Sequence, residues 1–139
     1  MRVDCALLCD AVTVRDGLLH ILGGGVTRLQ LSAYPGPLGM SLAIRVMVHP
    51  TEAKSPHMLK CVLIGEDGGE VGGFEAEFAI NEVGDVRPGE EFSMAVALPL
   101  PQTMLPGPGV YSFEVLIDGV HQASVPFAAD LMTQDPLPL

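Results

Sequence analysis

Three cysteines, four histidines and two acidic clusters are the side chains in this 139-residue chain that could carry chemistry. Cys5 and Cys9 are four residues apart, and Cys61 lies far downstream. On a strand the first two share a face at a separation of about 13 Å, too long for joint ligation of one metal ion. No C-x-x-C pair and no H-E-x-x-H segment is present, and those are the spacings that specify zinc. An odd cysteine count closes no disulfide framework. The three thiols are therefore expected as small buried hydrophobes, reduced in a cytoplasmic setting. His57 and Cys61 would share a strand face, again about 13 Å apart and out of reach for a nucleophile–base pair. There is no G-x-S-x-G nucleophile turn. His20 sits between Leu19 and Ile21 on an apolar run. His49 and His57 bracket a polar connection, and His121 follows a turn.

The acids gather at Glu66, Asp67, Glu70, Glu75 and Glu77, and again at Glu82, Asp85, Glu90 and Glu91. A calcium site needs several oxygens converging from adjacent loops, and no D-x-D-x-D-G loop is present. A solvated charged face is the expectation. Gly23-Gly24-Gly25 lacks the phosphate-loop pattern and runs into VTRLQL, a strand-like segment rather than a helix start. A bulge, bend or close backbone approach is expected there. No cofactor, no metal and no catalytic residue follow from these patterns, and the protein is expected not to be an enzyme.

The elements that would position these side chains are strands. Tyr111, Phe113, Val115 and Ile117 alternate with Ser112, Glu114 and Asp118, and Asp118-Gly119 supplies a tight turn into Val120–Phe127. The same period-two pattern marks residues 40–48, 57–64, 70–80 and 92–98. Residues 3–14 read as one long strand or two joined by a bend, followed by the turn Arg15-Asp16-Gly17 and a returning strand, Leu18–Leu22. Ser32–Gly39 and Leu100–Gly109 are rich in Pro and Gly and read as loops. Turn signals recur about every ten residues with no convincing helix, which predicts an antiparallel β-sandwich of about eight or nine strands. Pro108-Gly109-Val110-Tyr111 points to the tyrosine corner of immunoglobulin-like sandwiches, with a jelly roll or small barrel as the alternative. Residues 1–128 are expected as a single sandwich domain and 129–139 as a flexible tail.

Apolar residues make up 48% of the chain, which excludes global disorder. The formal net charge of −10 repels phosphate backbones, so neither nucleic acid nor an anionic membrane is an expected partner. No secretory signal is visible, and no apolar stretch approaches the roughly 20 residues of a spanning helix.

The segment CALLCDAVTVRDGLLHILGGGVTRL resembles the opening of a family of small, functionally uncharacterised bacterial proteins common in actinobacteria, a domain of unknown function. Asp10-Ala11, Gly17 and Leu22–Gly25 carry the resemblance, and PGPGVYSFEVLIDG resembles that family's last hairpin. The family often has Asn where this chain has His20, and an aromatic residue where it has Val26. The resemblance implies a β-sandwich and supplies no catalytic residue.

Apolar side chains at outward strand positions, among them Leu116, Val62, Met47 and Val26, need a covering surface. The expected function is thus a non-enzymatic interaction or assembly module, binding a protein partner or forming a homo-oligomer. Gly23, Gly24, Gly25, Tyr34 and Leu116 are its candidate interaction residues. A small-ligand-binding sandwich is the alternative, and a hydrolase or metalloenzyme is a distant third.

Overall fold

A computed structural model describes residues 1–80 and 84–133. Twelve strands follow in chain order: β1 Arg2–Cys9, β2 Ala11–Arg15, β3 Leu18–Leu22, β4 Arg28–Leu31, β5 Gly36–Pro37, β6 Met40–Val48, β7 His57–Ile64, β8 Glu70–Phe78, β9 Phe92–Leu100, β10 Met104–Leu105, β11 Gly109–Ile117 and β12 Val120–Leu131. One short 3₁₀ turn, Pro50–Glu52, joins β6 to β7. The count exceeds the expected eight or nine because residues 2–15 divide at Asp10 and because two-residue pieces of both Pro-rich loops pair with each other as β5 and β10. Those loops were expected to hold no regular structure. The backbone groups of Gly36 and Leu105 instead find partners across the gap, as buried polar groups must.

The strands form a sandwich, with no closed barrel among the described residues. One layer has the order β1-β6-β9 and the other β4-β12-β11-β7-β8. Pairing is antiparallel except between β4 and β12, which run parallel from Arg28↔Ala128 to Leu31↔Leu131. The core lies between the layers. Leu42, Ile44, Val46 and Val48 of β6 meet Leu59, Cys61 and Leu63 of β7 and Phe113, Val115 and Ile117 of β11, each 3% exposed or less. Alternation carries these residues to one face of each sheet, and their burial excludes water from about ten ångströms of interlayer space.

Tyr111 makes the expected corner: its hydroxyl donates to the carbonyl oxygen of Gly107, 2.5 Å away, and its ring stacks on Phe127. The tail expected from residue 129 does not begin there. Strand β12 continues to Leu131, Ala129 is fully buried, and the parallel pairing with β4 holds this stretch in the sheet. Residues 134–139 lie outside the described residues. No helix of the described residues is long and apolar enough to cross a membrane.

The β2–β3 hairpin belongs to neither layer. Asp16 and Gly17 both have positive φ, 53° and 71°, which gives the type I′ turn that matches strand twist. The hairpin folds back over the outer face of β6 and β9, covering Cys9, Ser41 and Ala43, each 9% exposed or less. Its base is pinned where the Asp10 amide donates to the Leu22 carbonyl, and where Gly25 and Val26 amides donate to Leu8.

Candidate interaction surface

Cross-strand pairing sorts the hairpin into two faces. Val12, Val14, Leu19 and Ile21 share the face toward the sandwich, and Val12 and Leu19 are half-buried. Ala11, Thr13, Arg15, Leu18, His20 and Leu22 share the other, and all are exposed. Leu18 is 62% and Leu22 66% exposed, on either side of His20. The sandwich-facing Val14 and Ile21 remain 42% and 37% exposed. The hairpin thus carries four of the large exposed hydrophobic side chains among the described residues.

Beside Leu18, Leu19 and His20 runs an open groove of about 370 Å³. Gly17 at the turn and Cys5, Arg45, Ser93 and Ala95, on the outer face of the three-stranded layer, complete its lining. Arg45 is held in a two-pronged ion pair with Asp4, at 2.9 and 2.6 Å. That guanidinium holds the Asp4 carboxyl below the usual carboxylate range. Cys5 is half-buried, whereas Cys9 is buried under the hairpin and Cys61 in the interlayer core. Burial raises both buried thiols, Cys61 to about 11. The three cysteines therefore do not converge.

The residues named from sequence are dispersed. Gly23–Gly25 form the base of the hairpin, with positive φ at Gly23 and Gly25. A Cβ on Gly24 would stand 2.8 Å from Cγ2 of Ile21 and 3.1 Å from Cδ1 of Leu7, so the expected close approach is present. Tyr34 is half-buried, and its hydroxyl donates to the Asp130 carbonyl at 2.7 Å, a contact that fastens a loop to β12. Leu116 is half-buried on the outer face of the five-stranded layer. Tyr34 and Leu116 stand on the five-stranded layer, and the glycines stand at the edge of the other layer. Of the outward apolar positions, Val62 is 9% exposed and Met47 and Val26 are half-buried. Four of the nine large exposed hydrophobic side chains among the described residues lie instead together on β2 and β3.

Two polar clusters also escape a reading by alternation. Glu114 accepts hydrogen bonds from Ser112 at 3.0 Å, from His121 Nε2 at 2.6 Å and from Ser124. Residues 121 and 124 would lie on opposite faces of a regular strand. A bulge at Gln122 brings them to the same face. Desolvation raises the Glu114 carboxyl, but the bonds from Ser124, His121 and Ser112 outweigh it and leave it lowered. A hydrolytic relay needs serine and carboxylate on opposite ring nitrogens of the histidine. Here both engage Nε2, Ser124 at 3.2 Å, so the cluster ties strands together without activating the serine.

The second cluster centres on His57. Its Nδ1 lies 2.6 Å from Oδ2 of Asp118 and its Nε2 lies 2.8 Å from the carbonyl oxygen of Glu52. The bond to Asp118 comes first in raising His57 above its ordinary value, with the Glu52 carbonyl adding to it. Asp118 is lowered, chiefly by the same bond. Among the described residues no three His, Cys, Asp or Glu side chains are grouped to hold a metal ion. Glu82, one of the acids named above, lies outside those residues.

No curated protein matches the chain. Among solved structures, it is similar to a glycosyl hydrolase family 2 member from Bacteroides cellulosilyticus, at 14% identity and a TM-score of 0.29. That similarity covers 64% of this chain and only 12% of the other. The match that spans the sandwich is to a family model: residues 4–130 fit DUF6941, a family of unknown function, and the chain belongs to that family.

Proposed function

We propose that this protein is a non-enzymatic interaction or assembly module whose binding element is the β2–β3 hairpin. The single observation that carries the reading is the exposure of Leu18 and Leu22, 62% and 66%, on a ribbon of two five-residue strands. A two-stranded ribbon is marginal in water unless a further strand or surface completes it. The ribbon is also poor in charge: Arg15 and Asp16 are its only Asp, Glu, Lys or Arg side chains, in a chain of net charge −10. A partner can approach there with little repulsion. Three unpaired thiols support a reducing, cytoplasmic setting. The groove beside β3 is of ligand size, which supports a small apolar ligand as the second reading. Arg45 is engaged by Asp4, which weighs against an anionic one.

The test compares wild-type protein with the Leu18→Ser/Leu22→Ser variant. Both side chains are exposed, so the variant should unfold within about 0.5 kcal/mol of wild type. Light scattering and cross-linking in the cells that make the protein should find the wild type in an assembly heavier than 14.7 kDa and the variant alone. Wild-type protein that stays at 14.7 kDa and unaccompanied in both settings would overturn the reading.

A further inference from the structure

We propose that the free edge of β3 takes up an extended segment of another protein as an added strand, apolar at alternate positions and neutral or basic between them. The inference rests on the hairpin being the binding element and names what it binds.

The backbone sets the docking line. A two-residue I′ turn makes Arg15↔Leu18 a hydrogen-bonded pair, and alternation extends this to Thr13↔His20 and Ala11↔Leu22. The bulge at Asp10, whose amide also donates to Leu22, agrees with that phase. Leu18, His20 and Leu22 therefore direct their N–H and C=O groups toward β2, while Leu19 and Ile21 direct theirs away from it. Among the described residues β3 pairs with β2 alone. An antiparallel strand laid along this edge would exchange N–H···O=C bonds with both residues.

The groove supplies the room. It runs beside Leu18, Leu19 and His20; on its floor Cys5, Ser93 and Ala95 are small side chains that leave depth for apolar ones from above, and Arg45, between Cys5 and Ala95 across the sheet, is held by Asp4. Two of the other sheet edges are guarded. Strand β8 carries Glu70, Glu75, Glu77 and a bulge at Val71, and β9 carries Pro99. Charges, bulges and prolines are what keep an edge from pairing. Strand β3, LLHIL, has none of them.

A second copy of the chain is the wrong occupant for this edge. A two-fold axis pairing β3 with its mate would put both three-stranded layers on the same side of one ribbon. The groove floor shows that one layer already extends beneath the place the mate would need. A segment without a body attached beneath it fits. Its outward positions flank Leu18, His20 and Leu22, where the methylene stems of lysine or arginine cover the two leucines and the net charge of −10 favours their charged ends.

The probe is a blocked heptapeptide alternating lysine and valine, titrated into isotopically labelled full-length protein. The expected result is amide shifts and slowed exchange at Leu19 and Ile21, with shifts at Cys5 and Ala95. Ser93→Trp, which fills the groove from the floor and leaves the hairpin's own sequence unchanged, should weaken binding at least tenfold. A peptide with proline at its central valine should weaken it as much. Replacing lysine by glutamate should weaken it by a smaller factor. Shifts confined to Glu75 and Glu77 would show capture by the acidic β8 edge and overturn the proposal. So would saturation of the peptide with no change at Leu19 or Ile21. Protected Leu19 and Ile21 amides in a self-assembled dimer would give the edge to a second copy. That result overturns this proposal while leaving the hairpin as the binding element.

Discussion

Both ring nitrogens of His57 face acceptors that carry no hydrogen, a carboxylate oxygen and a carbonyl oxygen. The ring can satisfy both only as the doubly protonated imidazolium. Its raised value makes this a stabilising contact that is fully present below the ordinary histidine value of 6.5 and is lost as pH rises through the folded-state value. The lowered carboxyl of Asp118 contributes in the opposite sense: present above its ordinary 3.8, and lost as pH falls through its folded-state value. Wild type should therefore exceed His57→Gln in stability most clearly between those two ordinary values. The margin should be about 1 kcal/mol or less, because Asp118 is half exposed. Denaturant midpoints across that range and up to about pH 9 check it; a margin that grows with pH would contradict the imidazolium assignment. The cysteines offer a second residue-scale prediction. A neutral thiol-disulfide reagent should modify Cys5 in the folded protein, while Cys9 and Cys61 react only on unfolding, because burial keeps them protonated and covered. Peptide mapping of the labelled protein gives the answer.

At the scale of elements, short turns and close approaches set the geometry. The loop between β4 and β6 is drawn in by the β5–β10 pairing and by the Leu38 amide donating to Thr103 at 2.7 Å. Leu38 and Leu105 consequently reach the core. A Cβ on Gly36 would lie 2.5 Å from the Ala33 carbonyl oxygen, a backbone atom that cannot simply swing aside. Gly36→Ala should cost about 1–3 kcal/mol, as overpacking does. The denaturant midpoint should fall with the slope of the transition unchanged. By contrast Gly84→Ala, where nothing stands within 4 Å, should leave the midpoint near wild type. A similar midpoint for both variants would show that the loop relaxes around the added methyl.

At the scale of the whole molecule, a two-layer core is set against a surface of 17 acidic and 7 basic side chains. Self-repulsion of that surface destabilises the folded state, and salt screens it over about 10 Å at 0.1 M. The melting temperature should therefore rise between low salt and about 0.3 M sodium chloride, which thermal unfolding would show. A fall would mean that the ion pairs, Asp4–Arg45 and Arg28–Asp130 among them, outweigh the repulsion. The layers also account for the placement of the apolar surface. The five-stranded layer carries the Glu114 cluster on its outer face, whereas the three-stranded layer hides part of its outer face under the chain's own hairpin. The cover is itself partly apolar, so the need for burial passes outward to β2 and β3.

Period-two alternation by itself determined that β6, β7, β9 and β11 exist and which of their faces are buried. A half-buried strand requires that pattern, and only neighbouring residues need be compared to see it. Asp16-Gly17 and Asp118-Gly119 marked the two tight hairpins for the same local reason, since positive φ is a property of the turn residues themselves. Tyr111 announced its corner through Pro108-Gly109. The tertiary structure alone decided the rest. Alternation is blind to the bulges at Asp4, Val71 and Gln122, each of which moves side chains to the other face. That is why the grouping of Glu114, His121 and Ser124 was illegible. Nor does an apolar strand disclose whether its face meets a core or water. That depends on where the strand is laid. The β2–β3 hairpin lies across the outside of a finished layer, and that placement leaves the edge of β3 open.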